Sequence, residues 1–150
     1  MVKNRVFLDT SILISALLSS TGGSFYILTR LKDRFVLQIN HYALNETLEV
    51  LDQKFSGRGD LKNTLFLLLG VGKVQIFNNP QLLQLKSFPK IVDEDDLPIL
   101  ASAILKSDYL ITLDKDFLES KVKKFAQLKN TEIVRPQEFI TKIVKKIRLQ

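Results

Sequence analysis

The sequence contains no cysteine and a single histidine, His41. The first absence removes a disulfide framework, a thiolate metal site and cysteine catalysis together. With one histidine and no serine motif beside it, a nucleophilic triad has no base, and His41 reads as a surface or helix-start residue. Glycine is scarce as well, at 6 of 150 residues. No G-x-G-x-x-G and no G-x-x-x-x-G-K-[ST] run occurs, so neither dinucleotide nor P-loop binding is supported. The short "TGGS" at 21–24 is too brief to cradle a phosphate. Long apolar runs are missing too: "TLFLLLGVG" falls well below the roughly 18–20 residues of a membrane span. Asp9 interrupts the N-terminal apolar stretch too early for a signal-peptide core. There is no internal repeat, low-complexity segment or linker, and the expectation is one soluble, cytoplasmic domain over residues 1–150.

What is present is an ordinary globular composition, 45% hydrophobic and 25% charged, in a chain long enough to build a core. The balance is basic, with 22 Lys and Arg against 16 Asp and Glu, a net charge of +6. Such a surplus suits an anionic partner such as nucleic acid without identifying one.

Short apolar runs alternate with helical patterns along the chain. Strands are predicted at 4–8, 35–39, 73–77, 109–112 and 131–134. "SILISALLSS" reads as the first helix, broken by "TGG", and a second follows from Ser24 as N-cap. "YALNETLEVLDQKF" is helical, with Leu44, Leu48 and Leu51 on one face. Residues 61–69 form another helix closing at Gly70 and Gly72, and 78–90 read as a loop or ragged helix. "DEDDLPILASAILKS" is a helix with an acidic entrance that tolerates Pro98 in its first turn, and Pro136 opens a basic C-terminal helix. Strands alternating with helices predict an α/β fold, a parallel sheet covered by helices on both faces. Sites in such sheets lie beyond the carboxyl ends of the strands.

The acids gain interest from that rule. They cluster as Asp9, Glu46 with Glu49, the run Asp93-Glu94-Asp95-Asp96, and Asp114 with Asp116. Asp9 follows the first strand and Asp114 the fourth; were those strands neighbours, all the clusters would converge on one rim. Carboxylates brought that close repel one another unless a cation neutralises them. Oxygen-only ligands suit Mg²⁺ or Mn²⁺, which can activate water and shield a phosphodiester. Setting aside eight of the 16 acids (Asp9, Glu46, Asp93 to Asp96, Asp114 and Asp116) leaves 8 acidic against 22 basic side chains. That surplus could hold a nucleic-acid backbone. The bland alternatives stay open here: Asp9, Ser11, Asp95, Asp96 and Asp116 have the chemistry of helix caps, and Glu46 and Glu49 that of solvated helix charges. Lys142, Lys145, Lys146 and Arg148 read as a solvated basic face or a contact for nucleic acid.

In these residues the chain resembles the PIN-domain family, and within it the VapC-like toxins of toxin–antitoxin pairs. The likeness runs almost end to end. "FLDTSILISAL" resembles the first motif, "NETLEVLDQKF" the helix carrying a Glu, "DEDDLPILASA" the motif before a small-residue helix face, and "YLITLDKDF" the last strand with its Asp pair. "IVRPQEFI" resembles the closing strand and helix. The resemblance implies a three-layer α/β/α fold with a central parallel sheet of about five strands. It implies a Mg²⁺- or Mn²⁺-dependent ribonuclease, a homodimer, an RNA substrate and a cognate antitoxin. By the same resemblance Asp9, Glu46, Asp96 and Asp114 would be the metal-binding and catalytic acids, with Asp116 as an auxiliary ligand. Ser11 would orient Asp9 or a water, and Thr112 and Asp93 would be supporting residues. Leu97 departs from the polar residue often found after the third acid; Asp96 is favoured as the ligand, with Asp95 left to cap the helix. The competing readings are a PIN module that binds RNA or protein without cutting, and an RNA-processing nuclease with no antitoxin. A phosphoacceptor domain fits less well, because "FLDTS" lacks the second Asp of that signature.

Overall fold

The computed structural model describes residues 2–146; Arg148 lies outside the described residues. Five strands, β1 (Asn4–Leu8), β2 (Phe35–Asn40), β3 (Gln75–Phe77), β4 (Tyr109–Ile111) and β5 (Glu132–Val134), form one parallel sheet in the order β3-β2-β1-β4-β5. Helices flank it: α1 (Thr10–Leu18), α2 (Gly23–Arg30), α3 (His41–Lys54), α4 (Asp60–Val71), α5 (Leu82–Lys86), α6 (Leu97–Lys106), α7 (Ser120–Leu128) and α8 (Pro136–Glu138). The result is the expected three-layer α/β/α arrangement. No single helix among the described residues is long and apolar enough to cross a membrane.

β1 is the central strand, and its composition explains why. Val6, Phe7 and Leu8 are all fully buried, so the run is apolar on both faces as a strand covered from both sides must be. Leu8 is in register with Ile111 of β4, and the Asp9 N–H continues the ladder by donating to the Ile111 carbonyl at 3.1 Å. β1 leads to β2 on one side, while β4 returns to its other side. The order of connection therefore reverses between β1 and β4, which run parallel, and a crevice opens beyond the carboxyl ends of both strands.

The helices pack through the apolar residues their periodicity predicts. Ile12, Leu13 and Ala16 bury one face of α1, and Leu61, Leu65, Leu68 and Leu69 that of α4. In α6 the small residues Ala101, Ser102 and Ala103 are buried beside Ile99 and Leu100, which lets the helix approach the sheet closely. Truncating one of the fully buried leucines to alanine typically costs about 2–5 kcal/mol. At the exit of α4, Gly72 passes the α2 backbone so closely that a Cβ would lie 2.7 Å from the Leu28 carbonyl oxygen. Only glycine fits there without a shift.

Several boundaries differ from the sequence reading for identifiable reasons. Ser24 is not a cap: it is buried inside α2, whose N-cap is Gly22. α4 runs through Gly70 to Val71, and Lys73, at φ 50°, turns the chain so that β3 starts only at Gln75. The 78–90 segment contains the short helix α5, closed by a reciprocal Gln81–Gln84 capping box. α6 begins at Leu97, not Asp93, because residues 93–96 form a turn in which the Asp96 N–H donates to the Asp93 carbonyl at 2.9 Å. α7 fills a stretch to which the sequence reading gave no element. Its buried Val122 and Ala126 stand at i and i+4 amid lysines, a pattern diluted by charge. The C-terminal helix opens with Pro136 as expected and then widens to π-helical turns over Phe139–Val144. Phe139 anchors it, with its ring 4.9 Å from that of Phe35 and 5.4 Å from that of Tyr109.

Candidate active site

At the reversal point the first carboxylate sits where a strand becomes a helix. Asp9 is the N-cap residue of α1: it is extended at φ −73°, ψ 159°, and its Oδ1 accepts the Thr10 N–H at 2.7 Å. Its other oxygen accepts the hydroxyls of Ser11 at 2.8 Å and Thr112 at 2.7 Å. Thr112 is fully buried just past β4, so the two central strands meet on this one side chain. Asp9 is thus the cap of α1 and, through Thr112, a tie between the two central strands at the crevice.

Glu46 arrives from α3, about one and a half turns beyond that helix's start, and accepts the Thr10 hydroxyl at 2.5 Å. The start of α3 is fixed by Asn40, the last residue of β2. Asn40 is fully buried, and its Oδ1 caps the helix by accepting the Ala43 N–H at 2.8 Å. Its Nδ2 donates to the Pro98 carbonyl at 3.1 Å and to the Ser102 hydroxyl at 2.8 Å, both in α6. In the next turn Tyr42 donates its hydroxyl to the Asp95 carbonyl at 2.6 Å.

Asp96 occupies the N-cap position of α6 but in helical backbone, and its carboxylate makes no cap hydrogen bond. Asp95 does not cap the helix either, contrary to the expectation that it would: its position precedes the cap, it is exposed, and its carbonyl is what Tyr42 binds. Both facts follow from the helix starting four residues later than the acidic run. The Asp96 side chain is consequently free to face the crevice.

Asp114 follows β4 in a tight turn. Its N–H donates to the Thr112 hydroxyl at 2.9 Å, and its own Oδ1 accepts the Asp116 N–H at 2.9 Å. Ser11 ties this turn to α1 by accepting the Leu113 N–H at 3.0 Å. Asp9, Glu46, Asp96 and Asp114 together line a cleft of about 630 Å³, with Ser11, Ile14, Leu18 and Val50 along its walls. Asp96 also belongs to a second grouping: oxygens of Asp93, Asp96 and Asp116 lie within 4.8 Å of one another. Asp93 and Asp116 are exposed and line a separate hollow with Lys90, Glu119 and Lys121, whereas Asp9 is buried.

The electrostatics are those of a site short of positive charge. Burial raises the Asp9 carboxyl above the usual range, against the three hydrogen bonds that lower it, and Asp114 adds repulsion. Burial likewise raises Glu46, the Thr10 hydroxyl opposes it, and Asp9, Asp95 and Glu49 push the same way as burial. Asp96 is pushed up to about 7, first by burial and then by Asp114, Asp9, Asp116 and Asp93. Among the described residues no lysine or arginine pairs with any of these acids; the ion pairs lie elsewhere. A donor set of carboxylate and hydroxyl oxygens, with no nitrogen or sulfur, fits a hard cation such as Mg²⁺ or Mn²⁺. The raised affinity for protons is the same property that attracts such a cation.

The structure brings together the four principal acids, Ser11 and Thr112, and sets Asp93 and Asp116 beside Asp96. Glu49 is exposed on α3 and does not line the cleft. His41 is the first residue of α3, exposed, as its composition suggested. Lys142, Lys145 and Lys146 are exposed near the C-terminus. Thr10 and Asn40 were not singled out from sequence. Thr10 stood in plain view between the two residues that were; Asn40 gave no signal beyond being a cap-forming residue after a strand.

The family described as PIN domain matches residues 5–116. A chain from the crystal structure of VapBC2 from Rickettsia felis, bound to a DNA fragment from its promoter, has a similar fold: TM-score 0.63 over 87% of this chain and 98% of that one, at 17% identity. No curated protein sequence matches.

Proposed function

We propose that this chain, which belongs to the PIN-domain family, is a Mg²⁺- or Mn²⁺-dependent endoribonuclease and the toxin half of a toxin–antitoxin pair. One observation carries the reading: four carboxylates from four separate elements line a single cleft at the carboxyl edge of the sheet, and none has a cationic partner among the described residues. Carboxylates held together without neutralisation are destabilising, so their retention argues for a use.

Asp9, Glu46, Asp96 and Asp114 would hold the cation, with Asp116 and Asp93 as auxiliary acids beside Asp96. Bound there, a divalent cation supplies the positive charge that offsets a phosphodiester and lowers the pKa of water. The chain's own residues do the positioning. Thr112, Ser11 and the Thr10 N–H fix both oxygens of Asp9, and the Thr10 hydroxyl fixes Glu46. Asp114 is locked by the turn that hydrogen-bonds it to Asp116. Without a cation the Asp96 carboxyl is pushed up to about 7 by burial and the neighbouring carboxylates; a bound cation would hold it ionised as a ligand. The basic surplus outside the cluster suits a polyanionic strand along the cleft.

The toxin reading is supported by the likeness in fold to a chain of a VapBC2 complex. With it go a cognate antitoxin, a homodimer, a cytoplasmic location and a single PIN domain over residues 1–150. The test is incubation of the purified protein with a mixed RNA pool in Mn²⁺ or Mg²⁺, with EDTA and Asp96→Asn as controls. Cation-dependent cutting that Asp96→Asn abolishes is the expected result. Wild type and variant equally inert, with RNA or a protein partner still bound, would replace the nuclease by a binding module.

A further inference from the structure

The distance between Glu46 and Asp96 is not set by either residue. Glu46 rides on α3 and Asp96 on the entrance of α6, helices that share only a short contact. Two links join them: the Tyr42 hydroxyl on the Asp95 carbonyl at 2.6 Å and the fully buried side chain of Asn40. Its Oδ1 fixes where α3 begins, six residues before Glu46, through the Ala43 N–H at 2.8 Å. Its Nδ2 fixes the first turn of α6 through the Pro98 carbonyl at 3.1 Å and the Ser102 hydroxyl at 2.8 Å. Pro98 stands two residues after Asp96. Every hydrogen-bonding group of this fully buried amide is therefore spent on the two elements that carry the two acids.

Resting on the nuclease reading, we propose that Asn40 is a positioning residue. It sets the separation of Glu46 and Asp96 and so the affinity of the cleft for a divalent cation. A purely structural amide would be interchangeable with any other buried link between β2 and α6, and the molecule contains such a link for comparison. At the far end of α6 the Ser107 hydroxyl donates to Gln38 Oε1 of β2 at 2.6 Å, equally buried. Both links span the same strand and helix, but only Asn40 lies at the end bearing the acids. Outer residues that orient metal ligands typically change affinity 10–100-fold when removed.

The experiment measures Mn²⁺ affinity by electron paramagnetic resonance of the free ion, with melting temperature recorded for each protein. Asn40→Ser keeps a cap acceptor for α3 but is too short to reach α6. Ser102→Ala removes one of the two α6 contacts and decides the matter alone should Asn40→Ser fail to fold. Ser107→Ala is the matched control. The expected result is Mn²⁺ affinity about tenfold weaker in Asn40→Ser and a smaller loss in Ser102→Ala. Ser107→Ala should lower the melting temperature with affinity unchanged. Folded Asn40→Ser and Ser102→Ala proteins that bind Mn²⁺ like wild type would overturn the proposal, as would an equal loss in Ser107→Ala. Wild type that binds no Mn²⁺ would overturn the nuclease reading, and this inference with it.

Discussion

Strands β1 and β4 bear carboxylates at both ends, and the two ends treat them in opposite ways. At the amino end, Asp108 accepts the Arg5 N–H at 2.8 Å, its other oxygen lies 3.5 Å from the Arg5 guanidinium, and its own N–H donates to the Arg5 carbonyl at 2.9 Å. That carboxylate is neutralised, half-exposed and serves to close the ladder. At the carboxyl end, Asp9 and Asp114 face Glu46 and Asp96 with only hydroxyls and N–H groups for company. The same two strands thus carry one acid that completes the fold and two that face further acids across the cleft. The difference lies in the partner: a covalently supplied cation at one end, and room for a diffusible one at the other.

The widest separation between the two ends is in turnover. Asp9→Asn is expected to lower RNA cleavage roughly a hundredfold or more, as does loss of one charge-stabilising group in other active sites. Asp108→Asn should leave cleavage rates where they were. Equal effects of the two substitutions in one RNA assay would erase the distinction.

A second contrast is in pH dependence. The Asp9, Glu46 and Asp96 carboxyls are all raised in the folded protein, Asp96 to about 7. Between the ordinary carboxylate range and about 7 the folded chain holds more protons than the unfolded one, so this cluster favours folding at low pH and loses that contribution as pH rises. Cation-free protein should therefore melt at lower temperature at pH 8 than at pH 5. Asp96→Asn should flatten the difference, and millimolar Mg²⁺ should reverse it by binding the ionised cluster. Thermal unfolding across pH with and without EDTA reads all three; a melting temperature that rises with pH in EDTA would refute the account.

The smallest effect belongs to the amino end. The Arg5–Asp108 pair is exposed, and such pairs contribute about 0–1 kcal/mol. Arg5→Ala is expected to lower the melting temperature by no more than about 2–4 °C, and 1 M salt should remove most of that difference.

The centre of the sheet could be read from sequence because β1 and β4 are short apolar runs whose later residues are buried, whereas the edge strand β3 is largely exposed. Asp9 and Asp114 were legible because each follows a strand, and Asp96 because it opens a helix; Glu46 lies within the first half of α3, and strand order turned these placements into convergence. What escaped was decided by contacts across the chain. α7 buries only Val122 and Ala126 of its residues, so its periodicity is carried by two positions among lysines. The start of α6 depends on the turn at 93–96, which consumes acids that sequence alone would count as the helix's first residues. Asn40 was invisible because its partners, Pro98 and Ser102, are 58 and 62 residues away.

That separation in sequence has a consequence in time. β1 waits at the centre of the sheet for β4, and Asp9 for Thr112 and Asp114, across more than a hundred residues. At roughly 5–20 residues per second the gap lasts on the order of 5–20 s of synthesis. Throughout it the emerging chain carries its first acid without the last. On the nuclease reading, the chain would in this way stay inert beside the ribosome and the message that are making it until Thr112 and Asp114 have been made.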